Sequence, residues 1–310
     1  MPQHFAQLSD PHLSSLDGVR LRELLNKRAL GYLSWRRKRR FEHRREVLDA
    51  LQRDLNLEQV DQLLVTGDLT HIGLPSEFEQ ARDWLQQLGD PSKVALVPGN
   101  HDSCVAAPEA QTYALWRDYM ASDSPDDNGI HFPSRRIRGN IAFIGLSTGC
   151  PKPPLMATGT LATEQLEQLP ALLTETAARG LFRVVYLHHS PVVGLEKWRK
   201  RLTNASQVQT ILEVCGAELV LHGHGHRAHF SELDTRAGNL PIIALPSASA
   251  LGLHGADTAQ YNRYEIQPNA AGWEVNIEVR QYSRDSNSYG EGSQRRVQLR
   301  RGTNATAVPG

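Results

Sequence analysis

Six short apolar runs along the chain each lead directly into polar residues that can carry chemistry. The runs are Phe5–Leu8, Leu63–Val65, Val94–Val97, Ile141–Leu146, Val184–Leu187 and Leu219–Leu221. They are rich in Val, Ile and Leu and are bounded by Gly or Pro, which is typical of strands buried on both faces. The pattern therefore predicts buried strands whose ends carry the polar residues.

The segments between these runs show helical spacing. Arg44–Leu57, for example, places Val47, Leu48, Leu51 and Leu55 on one face. The other helical segments are Ser76–Leu88, Leu161–Ala178 and Asn204–Cys215. Strands that alternate with helices predict a layered α/β core with a largely parallel sheet. In such sheets ligands gather beyond the carboxyl ends of the strands, which is where the polar residues fall.

Beyond Pro241 the pattern consists of strands alone, at Ile242–Leu245, Tyr261–Ile266 and Trp273–Tyr282. These strands suggest a second sheet rather than a second domain, so residues 1–282 are expected to form one domain. From about residue 283 the chain is rich in Ser, Asn, Gly and Arg without periodicity. Residues 283–310 are therefore expected to form a flexible C-terminal tail.

The charge of the chain is balanced, with 34 Lys and Arg residues against 34 Asp and Glu residues in 310. This balance argues against an obligatory nucleic-acid partner held by bulk positive charge. The 3 Cys residues lie far apart and predict neither a disulfide framework nor a thiolate metal site. The N-terminus lacks a signal-peptide pattern, and no apolar stretch approaches the roughly 18 residues of a spanning helix, so a cytoplasmic protein is expected.

The polar residues at the strand ends are a set of candidate metal ligands. Asp10 and His12 alternate along the chain, as do His224 and His226, so on an extended segment each pair would point to one side. Carboxylate, amide and imidazole groups without thiolates suit Mn, Fe, Zn or Co better than a structural zinc or a calcium ion. Each motif alone is weak, because Gly-Asp is common in turns and Asn-His-Asp can cap a helix. Five such motifs in succession favour a metal site.

In this order the motifs resemble those of the calcineurin-like metallophosphoesterases. The motifs are Asp10-Pro11-His12, Gly67-Asp68, Gly99-Asn100-His101-Asp102, His188-His189-Ser190-Pro191 and Gly223-His224-Gly225-His226, spread over roughly residues 5–250. The resemblance implies an α/β fold in which a four-layer αββα sandwich contains two mixed β-sheets flanked by helices.

The resemblance also implies a dinuclear metal centre. One metal would be surrounded by Asp10, His12, Asp68 and His226. Asp68 would bridge to a second metal, which Asn100, His188 and His224 would complete. Either His188 or His189 could supply the ligand, and His188 is preferred because it comes first after the strand.

The expected reaction follows from the same resemblance. Two ions would clamp a phosphate and hold a bridging hydroxide for in-line attack. His101 would lie near the leaving oxygen as a general acid or charge stabiliser. Asp102 would orient His101, although an N-capping role for Asp102 is an equal alternative.

The motif order favours the branch of the family that hydrolyses cyclic nucleotides and glycerophosphodiesters. Gly67–Gly73 lacks the second Asp and the Arg of the Ser/Thr protein phosphatases, and no Tyr ligand of the purple acid phosphatases follows Asp68. The expected substrate is therefore a small phosphodiester, with phosphomonoesters left open.

Residues 21–45 depart from that branch. They combine apolar residues, among them Leu30 and Trp35, with the basic run Arg36–Arg40, and they are expected to overhang the metal site because they follow His12. One interpretation is a helical insertion with a solvated basic face. Another is peripheral contact with an anionic membrane or lipid through Arg36–Arg40. Hydrolysis of a lipid-linked phosphate or diphosphate is therefore an alternative function, followed by a DNA nuclease and a metal-free binding scaffold.

Overall fold

A computed structural model describes residues 2–13, 15–57, 60–123 and 130–300 of the chain. The strands in these ranges are β1 (Gln3–Leu8), β2 (Gln62–Val65), β3 (Val94–Leu96), β4 (Ser134–Arg138), β5 (Ile141–Gly145), β6 (Phe182–Tyr186), β7 (Leu219–His222), β8 (His229–Thr235), β9 (Gly238–Ala244), β10 (Gln260–Asn269), β11 (Gly272–Ser283) and β12 (Ser288–Arg300). The α-helices are α1 (Arg28–Ser34), α2 (Arg40–Glu42), α3 (Arg45–Leu57), α4 (Pro75–Leu88), α5 (Arg117–Met120), α6 (Thr163–Ala178) and α7 (Ala205–Cys215). A π-helical turn, Trp35–Arg39, joins α1 to α2.

The strands form two six-stranded mixed sheets. The first has the order β12-β11-β10-β1-β2-β3, and the second has the order β4-β5-β6-β7-β9-β8. Strands β1, β2 and β3 are parallel to one another, as are β5, β6, β7 and β9. The carboxyl ends of β1, β2, β3, β6 and β7 carry the predicted ligand motifs.

The alternation of side chains along each strand explains how the sheets are layered. In β1, Phe5 packs into a core between the two sheets, whereas Ala6 and Leu8 face the core under α3 and α4. The outer face of the second sheet packs against α6 and α7 through residues such as Leu169 and Leu212. The four-layer sandwich of two mixed sheets flanked by helices is therefore confirmed, and the four predicted helices lie within one or two residues of their expected bounds.

The strands beyond Pro241 do not form a sheet of their own. Strand β9 pairs in parallel with β7 in the second sheet, whereas β10 pairs antiparallel with β1 in the first. The prediction of a separate second sheet was wrong, because local periodicity does not reveal which partner a strand will find.

The flexible tail expected from residue 283 is also not what the described residues form. Strand β12 pairs antiparallel with β11. The pairing runs from Ser283 opposite Ser288 to Gly272 opposite Arg300. Its polar side chains face solvent, while Tyr289 and Leu299 are buried. An edge strand with one exposed face reads as polar in sequence, which explains the error. Residues 301–310 lie outside the described ranges.

Among the described residues, no helix combines the length and apolar character needed to cross a lipid bilayer. The longest helix, α6, has 16 residues and packs on the second sheet.

Replacing Tyr289 with Ala tests whether β12 belongs to the folded core. The Tyr289 ring lies between Tyr261 and Tyr282, and its hydroxyl donates to the Ala248 carbonyl over 3.0 Å. Loss of a buried aromatic ring costs about 3–5 kcal/mol, so urea unfolding should show a free energy of unfolding lowered by about that amount. The exposed Gln294→Ala variant in the same strand should stay within about 0.5 kcal/mol of the parent. Equal, negligible effects of both substitutions would contradict the structure of β12.

Candidate metal centre

The candidate ligands lie on sharp turns directly after the strands. Asp10, His12, Asp68, His224 and His226 all have a positive φ, between 42° and 67°. Non-glycine residues adopt this left-handed conformation rarely, and each such residue costs about 1–3 kcal/mol. The expectation that Asp10 and His12 lie on an extended segment was wrong, because β1 ends at Leu8. The turns nevertheless direct these side chains into one buried cluster.

Glycine permits the close approach of these turns. A Cβ at Gly99 would collide with the carboxylate and the backbone N of Asp68, and one at Gly223 would collide with Ser9 and Asp10. A Cβ at Gly67 would lie 2.7 Å from Nδ1 of His188. The glycines in the motifs therefore provide space for the ligand side chains.

In one part of the cluster, Asp10, His12 and His226 converge. Nε2 of His226 lies 3.2 Å from Oδ1 of Asp10 and 3.4 Å from Nε2 of His12. Nδ1 of His12 donates to the Thr70 carbonyl over 2.9 Å, so the lone pair of its Nε2 faces the cluster. Oδ1 of Asp10 is buried without a hydrogen-bond partner in the described structure. Imidazole nitrogens that converge beside a buried carboxylate oxygen are suited to a cation.

In the other part of the cluster, Asp68, Asn100 and His188 converge. Nε2 of His188 lies 3.3 Å from Oδ2 of Asp68 and 3.2 Å from Oδ1 of Asn100. Nδ1 of His188 donates to the Thr66 carbonyl over 2.7 Å, which fixes the ring with Nε2 toward the cluster. The two parts are adjacent, because ligand atoms of Asp10, Asp68 and His188 lie within 4.8 Å of one another.

His224 completes the group of predicted ligands. Its backbone N donates to Oδ2 of Asp10 over 3.0 Å, and its ring centroid lies 5.1 Å from that of His188. Nε2 of His224 is buried and has no hydrogen-bond partner among the described residues. A buried imidazole nitrogen without a partner is costly unless an ion or water satisfies it.

The local contacts distinguish His188 from His189. His189 is held on both sides of its ring, since Nδ1 lies 2.7 Å from the Thr148 hydroxyl and Nε2 lies 3.1 Å from the Ala157 carbonyl. No ring nitrogen of His189 is left for an ion while these bonds persist. The geometry therefore favours His188 as the ligand, with His189 packed behind it.

The electrostatics of the cluster fit metal binding as well. Burial disfavours the charged form of His188, but the Asp68 carboxylate raises the pKa of this imidazole to about 9. A proton on His188 thus occupies the position where a metal cation would bind, and metal binding would displace it. Burial, together with the nearby His43, holds the pKa of His12 well below its usual value, so that imidazole is neutral, as a ligand must be.

Asp102 does not orient His101 in the described structure. Its Oδ2 accepts from the backbone N of Asp68 and of Gly99, both at 2.9 Å. Its Oδ1 accepts from the backbone N of Thr70 at 2.9 Å and from the Thr70 hydroxyl at 3.1 Å. Asp102 therefore ties together the turns after β2 and β3, and the expected orienting contact to His101 is replaced by this cross-link.

His101 lies at the edge of the cluster with both ring nitrogens engaged. Nδ1 donates to the His71 carbonyl over 2.5 Å, and Nε2 accepts from Nη1 of Arg39 over 2.9 Å. Its backbone N donates to Oδ1 of Asp68 over 2.8 Å. Burial and the Arg39 guanidinium lower the pKa of His101 to about 4.

Three further residues of the site were not assigned a role from the sequence, although two of them lie in residues 21–45, which were expected to overhang it. His43 approaches His12 and His226, with ligand nitrogens of all three within 4.8 Å. His71 stacks on His12 with ring centroids 5.1 Å apart. Arg39 enters from the basic run. The large number of His residues was a signal, but His43 and His71 stand outside the five motifs and only their positions in space reveal them.

Residues 21–45 are anchored beside the cluster. Arg28 donates to the carbonyls of Ile72 and Gly73, and Trp35 is buried against Ile72. At the other end, Glu42 accepts from the backbone N of Leu253 over 2.9 Å. A cavity of about 350 Å³ opens on the candidate ligands, and its lining includes Lys38, Arg39, His43, Lys200, Leu253 and Ala256.

Comparison with known proteins identifies the family. The profile of the family described as calcineurin-like phosphoesterase matches residues 3–228, which is more than half of the chain. The chain belongs to the calcineurin-like phosphoesterase family. The resemblance inferred from the five motifs is therefore confirmed.

Two curated relatives come from cyanobacteria. A probable cyclic nucleotide phosphodiesterase of Synechococcus sp. is 32% identical over 180 residues, which is 56% of this chain and 61% of the relative. The chain thus matches less than two thirds of that relative's length. A 3',5'-cyclic-nucleotide phosphodiesterase of Nostoc sp. is 27% identical over 80% of this chain and 79% of its own.

Among solved structures, a dimetal phosphatase from Danio rerio superposes with a TM-score of 0.58 at 15% identity. The match covers 96% of this chain and 99% of the phosphatase. At this identity the likeness concerns the fold alone.

Replacing Asp102 with Ala separates a structural from a catalytic role. The change would leave the buried backbone N–H groups of Asp68, Gly99 and Thr70 without acceptors, at about 1–3 kcal/mol each. Urea unfolding should therefore show a large loss of stability, and bound metal should fall because the Asp68 turn loosens. A stable, metal-replete but slow Asp102→Ala enzyme would instead support a purely catalytic role.

Proposed function

We propose that the protein is a metal-dependent phosphodiesterase that hydrolyses a small phosphodiester, such as a cyclic nucleotide or a glycerophosphodiester. The observation that carries the proposal is the convergence of all seven predicted ligand residues in one cluster, of which only Asn100 and His226 are partly exposed. The names of the two cyanobacterial relatives support a cyclic nucleotide as the first substrate to test.

The proposed metal ligands are those that the family resemblance implies. Asp10, His12, Asp68 and His226 would hold one ion, and Asp68, Asn100, His188 and His224 would hold the other. The donor set of oxygen and imidazole nitrogen suits Mn, Fe, Zn or Co. Ions bound there would supply the positive charge that polarises a phosphate group and activates water.

Arg39 and His101 are the side chains best positioned to contact the bound ester. Both line the cavity, and Nη1 of Arg39 donates to Nε2 of His101. We infer that this pair stabilises charge that develops on the leaving oxygen, with the guanidinium supplying the fixed positive charge. Of the two roles expected for His101 near the leaving oxygen, general acid or charge stabiliser, we propose the second and add Arg39 to it.

The cavity suits a small ester. Its volume of about 350 Å³ lies at the lower end of the range for small-molecule sites. Leu253 and Ala256 contribute apolar surface to the lining, and Lys38 and Lys200 contribute positive charge beside the single Glu42. An apolar wall beside cations is suited to a nucleoside attached to a phosphate.

Hydrolysis of a lipid-linked phosphate or diphosphate at a membrane surface is the second candidate function. The feature that favours it is the position of residues 21–45, whose basic run Arg36–Arg40 lies beside the cavity and contributes Lys38 and Arg39 to its lining. A peripheral membrane contact through this run would bring such a substrate to the candidate metal centre.

Asp68→Ala tests the proposed chemistry. Because Asp68 would contact both ions, we expect loss of bound metal, measured by elemental analysis, and loss of bis(p-nitrophenyl) phosphate hydrolysis. Chelator treatment of the parent protein should abolish the same activity, and added Mn²⁺ should restore it. Asp83→Ala, at an exposed carboxylate on α4, serves as the matched control. A fully active, metal-replete Asp68→Ala protein would refute the assignment.

Arg39→Ala tests the proposed charge stabilisation. Removal of one preorganised donor typically lowers kcat about 10²–10³-fold. We expect a loss in this range with normal metal content, and a larger loss for a diester with an alkyl leaving group than for one with p-nitrophenolate, which needs less stabilisation. The exposed Arg53→Ala variant is the control. An equal loss for both leaving groups would contradict a role at the leaving oxygen.

A further inference from the structure

The exposed large apolar side chains of the described residues are not scattered over the surface. All of them lie in three ranges, 20–41, 150–157 and 192–201, which we call the basic rim. They are Leu21, Leu25, Leu30, Leu33, Phe41, Leu155, Val193, Leu195 and Trp198. Leu21 and Leu25 are each 83% exposed, Leu155 is 73% exposed and Trp198 is 61% exposed. Exposed apolar side chains that are concentrated in a few segments are typical of an interaction site.

The same three ranges carry a concentrated positive charge. They contain 14 of the 34 Lys and Arg residues of the chain, but only 2 of its 34 Asp and Glu residues. Since the whole chain is neutral, the remaining residues carry an equal excess of negative charge. Arg28 and Arg39 point inward to the carbonyl of Ile72 and the ring of His101. The basic residues left outside include the run Arg36, Arg37 and Arg40, which are exposed.

Contacts between the ranges make the basic rim one continuous surface. Nζ of Lys27 in the first range donates to the carbonyl of Lys152 in the second over 2.8 Å. The backbone N of Ala157 in the second donates to the carbonyl of Arg199 in the third over 2.9 Å. Each range also lines the catalytic cavity, through Lys38, Ala157 and Lys200 respectively. The basic rim therefore contributes to the wall of that cavity.

We infer that the basic rim is a docking surface for an anionic phospholipid bilayer and that it brings the mouth of the cavity to the membrane. Aliphatic side chains beside Lys and Arg are the composition of interfacial membrane segments, in which the apolar groups enter the acyl boundary and the cations face the headgroups. The inference concerns a surface built from three ranges and does not depend on the chemistry proposed for the metal centre.

Two other occupants fit the basic rim less well. A nucleic acid would match the charge of the basic rim. Proteins bind single strands largely by stacking bases on aromatic side chains, however, and six of the nine exposed apolar side chains are Leu. A second copy of the chain through the same face would bring two strongly positive surfaces together. A bilayer satisfies both the charge and the aliphatic side chains.

Vesicle flotation tests the inference with the full chain. The parent protein should float with phosphatidylcholine vesicles that contain phosphatidylglycerol, and not with vesicles of phosphatidylcholine alone. Raising the salt from ~0.1 M to ~1 M shortens the Debye length from about 10 Å to about 3 Å and should reduce binding. The Leu21→Ser/Leu25→Ser variant should bind at least ~10-fold more weakly, because each lost leucine removes apolar burial. The Arg36→Gln/Arg37→Gln/Arg40→Gln variant should lose its preference for anionic vesicles.

Matched controls make the outcome decisive. Arg53→Gln/Arg179→Gln/Arg296→Gln removes the same charge from exposed positions outside the basic rim and should bind like the parent. Urea unfolding of every variant checks that it is folded, and hydrolysis of soluble bis(p-nitrophenyl) phosphate is measured separately from docking. The inference is overturned if the parent ignores anionic vesicles, if the leucine variant binds like the parent, or if the control loses binding equally. Salt-sensitive binding to single-stranded DNA without vesicle binding, or a dimer that the leucine variant dissociates, would also overturn it.

Discussion

The candidate metal centre depends on two buried carboxylates, Asp10 and Asp68, that lie within a few ångströms of several imidazoles. Burial opposes their ionisation, yet neighbouring imidazoles, His226 beside Asp10 and His188 beside Asp68, keep the pKa of each carboxyl below its usual value. Such a cluster costs desolvation and strained backbone, because its turns are left-handed at non-glycine residues. The surrounding sandwich must hold these turns in place, and the hydrophobic cores on both faces of each sheet provide that support.

The support closest to the cluster comes from hydrogen bonds to backbone N–H groups and from close contacts at glycines. Asp102 collects N–H groups from the turns after β2 and β3, so the position of Asp68 is fixed relative to Asn100. Gly99 and Gly223 let these turns approach to distances that any side chain would prevent. The candidate ligands therefore converge because backbone hydrogen bonds and close glycine contacts hold their turns together, which is the kind of support that a preorganised metal site requires.

The segment between His12 and α3 has two faces with different physical roles. Arg39 and His43 point into the site, where the π-helical turn and the extended backbone at His43 direct them. Leu21, Leu25 and the Arg36–Arg37 pair point to solvent. The same segment thus contributes residues to the cavity and forms part of the basic rim outside it.

The sequence by itself determined the layered α/β core and the order of its buried strands, because buried strands and glycine-flanked turns have strong local patterns. The family resemblance carried by its five motifs implied the four-layer sandwich and the seven candidate ligands. Only the tertiary structure decided the rest. Sheet membership of β9 and β10, and the pairing of β12, depend on distant partners. The contacts of Asp102 depend on which backbone donors surround it, and the proposed preference for His188 over His189 rests on the contacts of His189 with Thr148 and Ala157. Arg39 and His43 join the site only because the 21–45 segment folds over the ends of the strands. His71 joins it through the loop that follows β2.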